Sequence, residues 1–314
     1  MRMNRLLALA LLLAVLAAVF VFAGAGLDVA YVIPKRLQRL SAIVIGGLCV
    51  ALSSILFQTL VGNRILTPAI MGYEAVYLLW QSLLLLLAGT AGMAVLGTGG
   101  GFLVSIALML GYSWALQRWL LRGDADIFPV LLLGLVLTLV LGTFAQFVQL
   151  RISPGEFAVF QGLSHASFNR ARPDTLLYAA AGLAAVLVLG RRLLPVLDVM
   201  ALGRDNARSL GLDHARVLRV GFALIAVLVA VSTSLIGPAG FMGIFIANTA
   251  YALAGSSRHR WTLPTGCMVA IGLFVAAQLL VEHVFNYRTT VSILVNLVCG
   301  GYFLGLMLRR GSTA

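Results

Sequence analysis

Ten predominantly apolar stretches follow one another along this chain, near residues 6–26, 40–61, 72–90, 93–116, 128–150, 175–195, 216–236, 240–254, 264–285 and 290–308. Most have the roughly 17–25 residues that an α-helix needs to cross the hydrocarbon core of a bilayer. A helix also keeps its backbone hydrogen bonds within the segment, as lipid demands. Only 10% of the 314 residues are charged and 61% are apolar, against about 25% charged in a soluble domain. The polar surface is too small to cover a water-exposed globule, so the expected fold is an all-α integral membrane protein of about ten transmembrane helices. Residues 1–314 read as a single transmembrane domain.

The net charge of +12 does not point to nucleic acid. The basic residues sit in short clusters between apolar runs, with no aromatic-interleaved basic face, and membrane topology accounts for them. With ten spans and both termini cytoplasmic, 15 of the 22 basic residues face inward. Lys35, Arg36, Arg39, Arg151, Arg170, Arg172 and Arg288 face outward. This two-to-one excess favours that orientation. Arg2 and Arg5 followed by an apolar run and Ala23-Gly24-Ala25 also resemble a cleavable signal peptide. The run is long for one, so a retained first helix is expected. The eighth run is short and opens after Gly237-Pro238-Ala239-Gly240, which predicts a sharp break rather than an ordinary loop.

Catalytic chemistry is sparse. A phosphate-cradling loop needs Gly-Lys-Ser/Thr, and the only lysine is Lys35, between Pro34 and Arg36. Cys49, Cys267 and Cys299 lie far apart within apolar runs and read as small hydrophobes. The four histidines are scattered, and neither a metal site nor a bound cofactor is expected.

Two carboxylates approach the membrane interior. Glu74 opens the third span and Glu282 closes the ninth. Placed within a turn or two of the interface, each could be structural or could line a pathway. Gln146 and Asn248 are further candidates for a pathway. Arg36 and Arg39, one helical turn apart, either snorkel to headgroups or receive carboxylates from an external protein. The longest polar island runs from Arg191 to Arg219; within it, 196–215 is a cytoplasmic loop with Leu202, Gly203, Ala207, Arg208, Ser209, Leu210 and Gly211 at its heart. A short Arg-rich segment of this kind on a membrane protein offers a soluble partner a place to dock.

Several segments together resemble the FecCD-type permease subunits of iron–siderophore and cobalamin ABC importers. The resemblance rests on Arg36-Leu37-Gln38-Arg39, Gln58, Gly62-Asn63-Arg64, Pro68 and Met71-Gly72. It continues through Leu202, Gly203, Ala207, Arg208, Leu210 and Gly211 to Gly237-Pro238-Ala239-Gly240-Phe241-Met242-Gly243. It departs at Ala247-Asn248-Thr249-Ala250-Tyr251, where the family usually has Pro-His-x-x-Arg, and at Thr289-Thr290-Val291-Ser292. These departures are similar to the subgroup handling ferric catecholate and mixed-ligand siderophores, commonly as a heterodimer of two permeases. The resemblance implies a type II ABC importer permease architecture in the bacterial inner membrane. It implies two ATPase subunits that use ATP and Mg, a second permease (heterodimer favoured, homodimer possible), and a periplasmic or lipoprotein substrate-binding protein. It makes the Leu202–Gly211 segment the ATPase-coupling element. It also makes Arg36 and Arg39, with Arg288 as a third contact, the docking residues for the binding protein. An ion-coupled secondary transporter and a membrane-embedded enzyme are the rival classes. The first lacks a pattern of broken, charged helices, and the second lacks clustered reactive side chains.

Overall fold

The computed structural model describes residues 2–23, 29–120 and 127–311. Gly24 and Ala25 of the small-residue motif, and Arg122, lie outside the described residues. The helices are α1 (Arg2–Phe22), α2 (Val29–Val61), α3 (Tyr73–Leu120), α4 (Ile127–Gln149), α5 (Pro154–Leu163) and α6 (Pro173–Gly190). They continue with α7 (Leu194–Met200), α8 (Arg204–Ser209), α9 (His214–Ile236), α10 (Met242–Ala254), α11 (His259–Leu279) and α12 (Val291–Gly311). A 3₁₀ turn at Pro68–Met71 precedes α3, and a π-turn at Leu280–Val284 extends α11. Among the described residues, seven helices are long and apolar enough to cross a membrane, and α10 and α12 are shorter apolar helices.

One of those seven, α3, carries two of the expected crossings. A straight helix of 48 residues would be about 70 Å long, yet Tyr73 Oη lies 3.2 Å from Ser113 Oγ and Gln81 donates to Ser105 at 3.5 Å. Both pairs are centred on residue 93, so the chain doubles back there. The reversal uses Gly89 and Gly97, at φ 59° and 62° with ψ −164° and 174°, a combination open to essentially no residue but glycine. Two antiparallel arms result, matching the runs expected at 72–90 and 93–116.

The bundle is built around α2 and α9. In each, 72% of the most apolar window is buried, against 11% in α1 and 17% in α3. The two helices run antiparallel, with Gly46 against Ile236 and Gly221 against Leu60. Glycine at these crossings lets backbones approach closely enough for dispersion contacts to replace the hydrophobic drive that lipid cannot supply. Phe57 packs edge-on against Phe222 at 6.0 Å and extends the same seam.

This pairing also sets depth. Ile236 ends α9 at the height of Gly46, ten residues along α2 from Arg36, or about 15 Å at the helical rise. The Gly237–Gly240 break therefore lies level with the middle of α2, within the height of the bundle. From the other side, the 3₁₀ turn re-enters the bundle, so that Thr67, Pro68 and Glu74 line the same small space as Val50, Ser53 and Ser54 of α2.

Three short helices, α5, α7 and α8, are not among the expected apolar runs. α5 lies in the connection between α4 and α6 and begins with Ser153 and Glu156 in a reciprocal capping box. The Ser-x-x-Glu spacing is its sequence signal.

Candidate functional site

α2 begins at Val29 rather than near 40, so the cationic stretch Lys35–Arg39 is helical and Arg36 and Arg39 do share a face. Their surroundings differ. Arg36 is buried: its guanidinium donates to the carbonyls of Phe20, Val21 and Ala23 and to Glu282 Oε1 at 3.0 Å. Those carbonyls lie at and just past the last turn of α1, where a cation is favoured by the helix dipole. The expectation that Arg36 presents its charge to an outside protein is corrected here, because α1 and Glu282 occupy its donors. Arg39 stays partly exposed, 3.5 Å from Glu282 Oε2 and 3.0 Å from Tyr287 Oη. Arg288 is exposed.

Glu282 is thus the shared counter-ion of two arginines. It stands on the π-turn, whose Phe285 N–H reaches back five residues to Leu280. The chain then passes through Asn286 and Tyr287 at φ 46° and 61°, a left-handed excursion uncommon for a bulky side chain. The excursion places the Tyr287 hydroxyl on Arg39.

Within the bundle, Glu74 Oε1 accepts the backbone N–H groups of Ala239 at 3.0 Å and Gly240 at 2.9 Å. The break between α9 and α10 leaves these donors without helical partners, and a carboxylate at the start of α10 also meets the positive end of a helix. Glu74 was expected near the cytosolic interface because it opens its helix. The re-entrant turn before α3 carries it into the bundle, beside Ser53 and Ser54 of α2.

The remaining pathway candidates are dispersed. Asn248 donates to the carbonyls of Arg64 and Ile244 at 3.0 and 2.9 Å, fastening α10 to the segment after α2. Gln146 is exposed on α4. Among the described residues, no hydrogen bond or ion pair joins any two of Glu74, Gln146, Asn248 and Glu282.

At the opposite end, α7 and α8 form a two-helix elbow with glycine at both corners. Gly203 sits at φ 95°. Gly211 sits at φ 83° in a Schellman closure, with Gly211 N–H bonded to Arg208 O at 2.9 Å and Leu212 N–H to Ala207 O at 3.1 Å. Leu202 and Leu210 are 58% and 63% exposed, whereas Ala207 is fully buried. The apolar surface available to a partner is therefore the two leucines. Ala207 instead seats α8 on its own bundle.

A constellation that the sequence reading did not single out anchors this elbow. Asp198 on α7 accepts from the His259 backbone N–H at 2.8 Å and from His259 Nδ1 at 2.7 Å. His259 Nε2 lies 2.8 Å from Thr59 Oγ1 on α2. Burial acts to raise the Asp198 pKa, but the two bonds from His259 and the nearby His259 and Arg258 charges outweigh it and hold the carboxyl below its ordinary value. The three residues are 61 and 200 positions apart in the pairs they form, so no local motif announces them.

The chain is similar to known proteins along nearly its whole length. The chain is 34% identical over 284 residues to the petrobactin import system permease protein YclO of Bacillus subtilis (strain 168), covering 90% of each chain. It is 29% identical to the petrobactin import system permease protein FatC of Bacillus anthracis, covering 89% of this chain and 79% of that one. Its fold superimposes on a metal-chelate type ABC transporter solved in an inward-facing conformation with a TM-score of 0.86, at 19% identity and covering 98% of this chain and 99% of that one. Residues 6–309 match the model of the FecCD transport family, and the chain belongs to that family.

Proposed function

We propose that this chain is the permease half of an ATP-driven importer that carries a ferric siderophore complex across the bacterial inner membrane. The observation that carries the reading is the exposed elbow: Leu202 and Leu210 stand out from the bundle on a chain without a phosphate-binding loop. Two apolar side chains held on a rigid, glycine-cornered turn fit the groove of a soluble motor protein. The relatives YclO and FatC are named for petrobactin import, which supports a ferric catecholate or mixed-ligand chelate as cargo.

In this reading the chain crosses ten times, with both termini cytoplasmic. The α3 hairpin supplies two crossings, α10 and α12 one each, and the remaining six long helices one apiece. The chain binds no cofactor; ATP and Mg belong to two copies of an ATPase subunit. A second, non-identical permease packs against the apolar face of α4, where Leu132, Leu139, Phe144 and Phe147 are exposed. A periplasmic or lipoprotein binding protein delivers cargo to the outer face, registering on Arg39 and Arg288. Nucleotide-driven closure of the ATPases moves the elbow, and the Asp198–His259–Thr59 clamp passes that motion to α2 and α11. The nucleotide shifts the bundle only if it binds one conformation better than the other.

Purification in mild detergent tests the assembly. A tagged chain should bring down an ATPase and a second permease, and Leu202→Glu/Leu210→Glu should lose the ATPase alone. A double variant that retained the ATPase would remove the elbow from the interface.

A further inference from the structure

Seven basic residues are expected on the outer side of this chain, against the usual preference of cations for the cytosol. Four of them, Lys35, Arg39, Arg170 and Arg172, line one cavity of about 850 Å³. They come from two separate parts of the chain, the start of α2 and the connection before α6. The cavity lies at the end of the bundle away from the elbow, walled by both arms of the α3 hairpin and by Ser234 and Leu235 at the far end of α9. Tyr77 and Gln81 reach it from deeper in the bundle. Its volume is within the roughly 300–1,000 Å³ of small-ligand sites.

No aspartate or glutamate lines this space among the described residues. The nearest carboxylates are engaged at its edges. Glu282 is shared between Arg36 and Arg39, Asp174 accepts from Thr98 at 3.3 Å, and Glu156 closes the α5 cap. One glutamate cannot balance two arginines, and Lys35, Arg170 and Arg172 add further positive charge.

Two of the cations, Arg39 and Arg170, are also held in place. Arg170 Nη2 donates to the carbonyls of His165 at 2.8 Å and Ile236 at 3.1 Å, which fix the guanidinium without neutralising it. Its Nε and the Ser234 hydroxyl are buried without a partner. Gln38 ties α2 to the Ala171 carbonyl between the two arginines. Fixed cations in a partly enclosed, low-dielectric recess focus a field that favours negative charge.

We propose that this cavity is an outer-side holding site for a polyanionic metal chelate, and that its charge selects such complexes over neutral ones of similar size. The inference rests on the importer reading and narrows its cargo. Three catecholate groups around ferric iron leave the complex trianionic, whereas three hydroxamates leave it neutral. Both are bulky, oxygen-rich and otherwise comparable. Lys35, Arg39, Arg170 and Arg172 supply charge-assisted donors to the first and have no such hold on the second.

The test is equilibrium binding to the assembled importer in nanodiscs of zwitterionic lipid, without binding protein. The probes are a hexadentate ferric tris-catecholate and a hexadentate ferric tris-hydroxamate. Wild type should bind the trianion at least tenfold more tightly, with the preference shrinking as salt rises. Lys35→Gln/Arg172→Gln, two exposed positions, should lose most of that preference and leave the neutral complex unaffected. Equal affinities in wild type, or an unchanged preference in the double variant, would overturn the site. A parallel set of discs containing phosphatidylglycerol separates the other source of the same chemistry. If the trianion fails to bind in zwitterionic discs while wild type, but not the variant, retains the anionic lipid, the cavity belongs to a headgroup and the proposal fails. ATP-driven uptake by the same complex keeps the two readings apart. Uptake without charge-selective binding removes only this site; absence of uptake in wild type removes the importer reading beneath it.

Discussion

Two glutamates in this chain hold structure together at points where lipid offers no alternative partner. Glu282, with a side chain only 13% exposed, pairs with both Arg36 and Arg39. Glu282→Gln should leave the buried Arg36 without its counter-ion, and removal of one partner of a buried pair costs about 3–5 kcal/mol. Arg39→Gln should cost much less, since that side chain is 26% exposed. Thermal unfolding in detergent should order the melting temperatures as wild type, then Arg39→Gln, then Glu282→Gln; equal values for the two variants would contradict the shared-counter-ion geometry. Glu74 offers a comparison of a different kind. Glu74→Gln keeps an acceptor for the Ala239 and Gly240 N–H groups, while Glu74→Leu leaves both unpaired at about 1–3 kcal/mol each. The glutamine variant should therefore stay close to wild type in stability while the leucine variant falls well below it. An equal loss in both variants would mean that Glu74 matters for its charge rather than as a cap.

The inner elbow and its clamp invite tests that separate docking from transmission. Leu210→Glu places a charge on an exposed apolar contact and should lower uptake while the bundle still folds. Asp198→Asn keeps the elbow surface but removes the acceptor charge that grips His259. ATPase binding should therefore persist in this variant while uptake per ATP hydrolysed falls. A variant that lost ATPase binding would place Asp198 in the interface instead. Because its folded pKa is depressed, the Asp198 contribution is fully present above the ordinary carboxylate pKa of about 3.9. It is lost as the pH falls through the lower folded value. Stability measured against pH should show a loss below about pH 4 in wild type that is smaller in Asp198→Asn. The α3 hairpin gives a purely conformational case. At Gly89 an alanine would need a positive φ and would place its Cβ 2.7 Å from Glu156 Oε1.

For the molecule as a whole, hydropathy alone located the longer apolar helices, because the length of an apolar run is set by bilayer thickness rather than by tertiary detail; the short α5, α7 and α8 left no such trace. It even separated the two arms of α3, whose reversal around residue 93 leaves only glycines as its mark. Depth was not legible. Glu74 looks interfacial in sequence because it follows a polar loop, and only the packing of that loop beside the middle of α2 shows that it folds into the bundle. Nor could charge tell which arginine would be buried: Arg36 and Arg39 are neighbours on one face, but the end of α1 lies over the first. The Asp198–His259–Thr59 clamp was invisible for a related reason, since its members meet only after three separate helices have packed. What remains is a bundle whose sequence carries no Gly-Lys-Ser/Thr phosphate loop and whose Leu202 and Leu210 stand exposed on the elbow; in the proposed function it depends on a separate ATPase. The most direct measurement of that dependence is uptake of a ferric siderophore into proteoliposomes, with binding protein outside and ATP within, in the presence and absence of the ATPase subunits. Accumulation should require the ATPase and cease with Leu202→Glu/Leu210→Glu; vectorial accumulation by the permease without any hydrolase would contradict the account.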